Sequence, residues 1–206
     1  MTFLGCFDEG QYIALCSSGY PCYRNIMKAT GLHSVNIPVN NEYKITVKEL
    51  KYEIERRKLN NETELSGLIL SSPGNPTGAM LTPIELQELC VLCAENNILF
   101  LSDEIYHGIS FGINGEKKPE ASAVQYSDSC VVINSFSKYF SMTGWRLGEE
   151  DTDVNRSCIL MFSCSYFFAF LCFLCFLCFL LFCVFLCFLL FCVLVFLCLN
   201  CFVSTS

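Results

Sequence analysis

Ser135-Phe-Ser-Lys138-Tyr-Phe-Ser-Met-Thr-Gly-Trp-Arg146-Leu-Gly148 follows directly on a short apolar run, residues 131–134. A buried strand that opens into a Ser-rich and Gly-rich loop places one lysine and one arginine just beyond the strand's end. Working back from this stretch, the same arrangement recurs. Residues 12–16, 65–70 and 98–101 are each a short apolar run followed at once by turn residues, and residues 34–39 read as a further strand.

Helical patterns fill the spaces between these runs. Residues 20–29 have helical spacing, and Thr46 with Glu49 forms a capping box opening a helix to about Leu59. A second box, Thr82 with Glu85, has Pro83 at the first helical position and opens a helix to about Asn96. Strands alternating with amphipathic helices predict an α/β domain with a mainly parallel sheet. In such a sheet ligands bind beyond the carboxyl ends of the strands. Tyr20, Asn75, Asp103 with Tyr106, and Ser135 with Lys138 all fall there and are expected to converge on one pocket.

Composition divides the chain in two. Of 206 residues, 53% are hydrophobic, yet every charged residue lies at or before Arg156. The net charge of −7 argues against nucleic acid as a partner. Sixteen cysteines do not form a disulfide framework, because ten of them fall between Cys158 and Cys201 in the apolar part. The other six are scattered as free thiols are in a reducing compartment. Cys90 and Cys93 make a CxxC in a helical pattern without a second pair, so helix packing is expected of them and no metal site. The first ten residues show no basic segment or long apolar run, so cytosolic synthesis is expected.

The charged and hydroxyl groups suit one chemistry in particular. An enzyme using pyridoxal 5′-phosphate needs a lysine for a Schiff base, a carboxylate for the pyridinium nitrogen and anion-binding groups for the phosphate. Lys138, Asp103, and Ser135 with Arg146 supply those types, and a guanidinium grips phosphate in a fork that an ammonium cannot reproduce.

Four segments carry a family resemblance in the right order: residues 17–23 (SSGYPCY), 75–78 (NPTG), 102–106 (SDEIY), and 135–138 (SFSK) running on to 144–148 (GWRLG). Over residues 1–148 the chain resembles the class I and II aminotransferases, the fold type I pyridoxal phosphate enzymes. The resemblance implies the three-layer α/β/α large domain of that fold. It implies that Tyr20 stacks on the cofactor ring, that Asn75 and Tyr106 bind the ring hydroxyl, and that Asp103 partners the ring nitrogen. Ser135 and Arg146 would hold the phosphate, and Lys138 would be the Schiff-base lysine and proton shuttle. The substrates implied are an amino acid and a 2-oxo acid. A lyase or aminocyclopropane-carboxylate synthase-type reaction would use the same cofactor residues. His33 and His107 match no catalytic position and are expected to be structural or exposed.

Against the family pattern, the phosphate loop upstream and the C-terminal small domain with its substrate-binding arginine are missing from these residues. The family's homodimer, completed across subunits, is not expected to form without them, and little activity is expected. Residues 149–157 read as an acidic linker. From 158 to 206 the chain is a low-complexity Phe/Leu/Cys tract, with Cys-Phe-Leu-Leu-Phe-Cys-Val beginning at both Cys178 and Cys187. Residues 159–199 contain no charge, which is length for one or two helical membrane spans. The alternative is translated simple-sequence DNA, and a membrane-tethered inactive fragment is the competing reading of the whole chain.

Overall fold

A computed structural model describes residues 2–112, 114–145, 147–152 and 157–162. The elements are α1 (Thr2–Cys6), β1 (Tyr12–Cys16), α2 (Pro21–Ala29), β2 (His33–Ile37), α3 (Val47–Leu59), β3 (Gly67–Ser71), α4 (Pro83–Glu95), β4 (Leu99–Asp103), β5 (Cys130–Ser135), β6 (Leu147–Thr152) and β7 (Ser157–Phe162). Short 3-10 turns lie at Ala123–Gln125 and Thr143–Trp145.

Seven strands form one sheet in the order β2-β1-β3-β4-β5-β6-β7. β1 to β5 run parallel with their neighbours, and β6 and β7 are antiparallel. The expected α/β class and mainly parallel sheet are therefore present. Successive side chains of a strand point to opposite faces, so each parallel strand feeds two cores. Ala14, Leu68, Leu70, Phe100 and Val132 pack with Leu50 and Ile54 of α3 and with Leu86, Leu89, Cys90 and Cys93 of α4. Ile13, Leu15, Ile69, Leu101 and Val131 pack on the other side with Phe3 of α1 and Met27 of α2. Helices on both faces give the three layers.

Both predicted capping boxes mark helix starts. At α4 the exchange is reciprocal, with Thr82 Oγ1 accepting from the Glu85 amide at 3.2 Å and Glu85 Oε2 accepting from the Thr82 amide at 2.7 Å. At α3 the Glu49 carboxylate takes both the Thr46 amide, at 2.8 Å, and the Thr46 hydroxyl, at 2.6 Å. Cys90 and Cys93 are 1% and 2% exposed in the core, and burial pushes their thiols up to about 11 and about 12. Among the described residues no group of His, Cys, Asp or Glu is arranged to hold a metal ion.

Two sequence expectations differ from the structure. Residues 149–152, expected in a linker, continue β6, which pairs with β5 through register partners such as Asn134 with Glu149. The ladder is built from backbone groups, so pairing overrides the weak strand preference of acidic residues. Residues 158–162, expected to begin a helical tract, lie in β7. A short apolar run has no period that separates strand from helix. Among the described residues no helix is long and apolar enough to cross a membrane. The rest of the apolar tract, where spans were expected, lies outside the described residues.

Candidate active site

Four parallel strands end side by side, and the loop after each brings chemistry to the same edge. Beyond β1, Tyr20 is the N-cap of α2, whose first residue is Pro21. Its ring is 42% exposed and meets Tyr23 one turn on, edge to face, with centroids 5.7 Å apart. Beyond β3, residues 72–78 form a closed turn. The Ser72 amide donates to the Asp103 carbonyl at 3.1 Å, the Gly74 amide to Ala79 at 2.8 Å and the Gly78 amide to Gly74 at 2.7 Å.

Asp103 closes β4 and is 7% exposed. The sequence expectation placed it just after its strand, whereas it pairs with Ser71 inside the ladder. Its Oδ1 accepts from the Ile105 amide at 3.2 Å, and its Oδ2 accepts a hydrogen bond from the Tyr23 hydroxyl. Burial pushes the Asp103 carboxyl above the usual carboxylate range. The hydrogen bonds from Tyr23 and Ile105 work the other way, as does the nearby His107, while Glu104 adds to the rise. Burial first, and then the charge of Asp103, push the Tyr23 phenol upward as well, so Tyr23 stays a donor.

Beyond β4, Tyr106 turns toward the 72–78 turn. Asn75 Nδ2 donates to the Tyr106 hydroxyl at 3.2 Å, and Lys138 Nζ lies 5.4 Å from the Tyr106 ring centroid, within cation–π range. Gly108, at φ +87°, lets the chain bend away after His107, and a Cβ there would run into the Tyr139 ring beside Lys138. Lys138 itself is exposed in the loop beyond β5. That loop is folded by the Ser141 amide on the Lys138 carbonyl at 3.2 Å and the Met142 amide on the Phe136 carbonyl at 3.2 Å. Ser135, the last residue of β5, accepts the Ser137 amide on its hydroxyl at 3.1 Å.

The structure thus brings Asn75, Tyr106 and Lys138 into contact, and puts Tyr20 and Asp103 together through Tyr23. Ser135 stands at the end of the neighbouring strand. Arg146, the remaining expected residue, lies outside the described residues. Sequence reasoning passed over two groups. Tyr23, the partner of Asp103, sits three residues after Tyr20 on the same helical face, a spacing that could have marked it. His107 sits between Glu104, 3.3 Å from its Nδ1, and the Ser72 carbonyl, 3.0 Å from its Nε2. His33 is in an exposed position and stacks on Tyr12 at 4.6 Å, as a structural residue.

The class I and II aminotransferase family matches residues 1–149. The chain is 41% identical over 150 residues to a valine–pyruvate aminotransferase of Mycobacterium tuberculosis, covering 72% of this chain and 36% of that one. It is 39% identical over 147 residues to an aspartate aminotransferase of Bacillus subtilis, covering 68% and 35% respectively. A crystal structure of an aminotransferase from Mycobacterium tuberculosis superposes with a TM-score of 0.64 at 38% identity, over 75% of this chain and 40% of the other. The chain spans about a third of the length of the curated relatives it matches. On the strength of the match over residues 1–149, this chain belongs to the class I and II aminotransferase family.

Proposed function

We propose that residues 1–149 carry the cofactor-holding part of an aminotransferase, which moves an amino group between an amino acid and a 2-oxo acid in the cytosol. The observation that carries the reading is the buried Asp103 carboxylate, held by Tyr23, beside the Asn75–Tyr106–Lys138 cluster. The family's cofactor is pyridoxal 5′-phosphate, and these residues fit it. Asp103 is an anion kept out of water with acceptor capacity left after two hydrogen bonds, which suits a protonated ring nitrogen. Asn75 and Tyr106 offer an amide and a phenol to a ring hydroxyl. Tyr20 offers an exposed aromatic face, and Ser135 a hydroxyl at a strand end for phosphate, where Arg146 is proposed to join it.

When bound, the cofactor supplies an aldehyde that condenses with amines and a ring that withdraws electrons from the neighbouring carbon. The work left to the chain is positional and protonic. Asp103 keeps a negative charge in a desolvated place, where its attraction for a cation is stronger than in water. Lys138 Nζ is the amine proposed to take up and return a proton, and the Tyr106 ring beside it limits where the ammonium can sit. Tyr23 holds the carboxylate in one orientation.

The test is spectroscopic. Adding pyridoxal phosphate to the purified chain is expected to produce a visible absorption band that Lys138→Ala abolishes. If no band forms, or if Lys138→Ala retains it, the reading is wrong. Valine with pyruvate is the pair of substrates to assay first, after the relative at 41% identity.

A further inference from the structure

Glu104 and His107 are absorbed by none of the roles above. Glu104 is 2% exposed, and its carboxylate contacts are those of an acceptor. Its Oε1 takes the Ser102 hydroxyl and the Ala123 amide, both at 2.9 Å, and its Oε2 faces His107 Nδ1 at 3.3 Å. The other ring nitrogen, Nε2, is 3.0 Å from the Ser72 carbonyl oxygen. Both nitrogens of His107 therefore face acceptors. At Nε2 the partner is a carbonyl oxygen, which can only accept, so that nitrogen carries the proton of the contact.

Ser72 opens the turn that carries Asn75. Its amide is already tied to the Asp103 carbonyl, and its hydroxyl accepts the Leu81 amide at 3.0 Å. With the bond from His107, the start of the turn is held at every polar group it has. Three residues on, Asn75 is held by Tyr106, the neighbour of His107. The 72–75 segment is thus gripped at two points by consecutive residues of the loop beyond β4.

We propose that His107, oriented by Glu104, is a positioning residue that fixes the Ser72 carbonyl and so sets Asn75 against Tyr106. The charges around it are Glu104 and Asp103 on its own segment. Nearby, Glu120 accepts the Gly108 amide at 2.8 Å, and Lys138 lies over the Tyr106 ring. His107 touches neither substrate nor cofactor in this role. The consequence for binding rests on the aminotransferase reading, but the link to Asn75 does not.

The test uses the nitrogen-15-labelled full chain without cofactor. The chain has two histidines, so His107→Phe identifies the ring signals of His107 by their loss. The His107 Nε2 is expected to show the shift and one-bond proton coupling of a nitrogen that bears a proton, and Glu104→Gln is expected to move the ring signals. Asn75 side-chain amide signals, assigned with Asn75→Asp, should move in both Glu104→Gln and His107→Phe. His107→Gln, whose terminal amide still reaches the Ser72 carbonyl, should leave the Asn75 signals in place. With pyridoxal phosphate, His107→Phe is expected to bind about tenfold more weakly, as for one lost buried hydrogen bond, and His107→Gln within about threefold. A His107 Nε2 that bears no proton in the unaltered chain overturns the proposal. So does an Asn75 signal that His107→Phe leaves unmoved, or one that His107→Gln and His107→Phe displace equally. If the unaltered chain binds no pyridoxal phosphate, the functional reading fails and the spectra still decide the role of His107.

Discussion

Asp103 shows a side chain whose usefulness and stability pull in opposite directions. Its carboxyl is raised by burial, so the native state favours the proton that the unfolded chain releases more easily. A raised value means that stability is greatest at acid pH and falls as the pH climbs through the native value, because a buried charge must then be carried. Asp103→Asn removes that cost and keeps the shape, with the new amide able to donate to Tyr23. Urea unfolding at pH 8 is expected to show the variant more stable than the wild type. Below about pH 3 the gain should vanish, since the wild-type carboxyl is then protonated in both states. A variant no more stable at pH 8 than the wild type would show that Tyr23 and Ile105 fully offset the burial. Asp103 was legible from its motif, whereas Tyr23 was marked only by its spacing from Tyr20, which does not name its partner. Nothing in a tyrosine's identity says which carboxylate 80 residues away its hydroxyl meets. The partners of His107 were illegible for the same reason: they come from another strand end and from its own turn, and only folding sets them at its two nitrogens.

At the level of elements, the helices were the most readable parts, because caps and spacing are local chemistry. Thr82 and Glu85 exchange hydrogen bonds as the sequence pattern required, and Glu85 also receives Lys44 Nζ at 3.2 Å. Thr82→Ala is expected to cost about 1 kcal/mol in denaturant unfolding, the usual worth of an N-cap side chain. A change within about 0.3 kcal/mol would mean that water replaces the hydroxyl on the Glu85 amide without loss. Strand positions were legible to within a residue or two at β1, β3, β4 and β5, where burial on both faces leaves continuous apolar runs. The strands β6 and β7 were not. One is acidic and the other apolar without a turn signal, so each is a strand only because a neighbour pairs with it. Helix α1 is five residues long, too short for a periodic signal, and is fixed by Phe3 in the core.

For the molecule as a whole, the family match and the fold were both readable from four motifs, because strand ends in a parallel sheet converge wherever the motifs fall in the sequence. The distances among them were not readable, since they depend on strand order. Cys16 ends β1 and Ser135 ends β5, and between these strands lie β3 and β4 in the sheet. Every parallel pairing closes a long stretch of chain before its contacts repay the ordering, and such pairings form slowly. The site has no local half that can assemble early: Tyr23 meets Asp103 only after β3 has docked between β1 and β4, and Lys138 arrives with β5. In refolding from denaturant, backbone circular dichroism is expected to recover before the pyridoxal phosphate absorption band appears. Simultaneous recovery would mean that sheet assembly is a single step. The strand order thereby makes the cofactor a clock for the chain, one that starts only when the last parallel strand has been laid down.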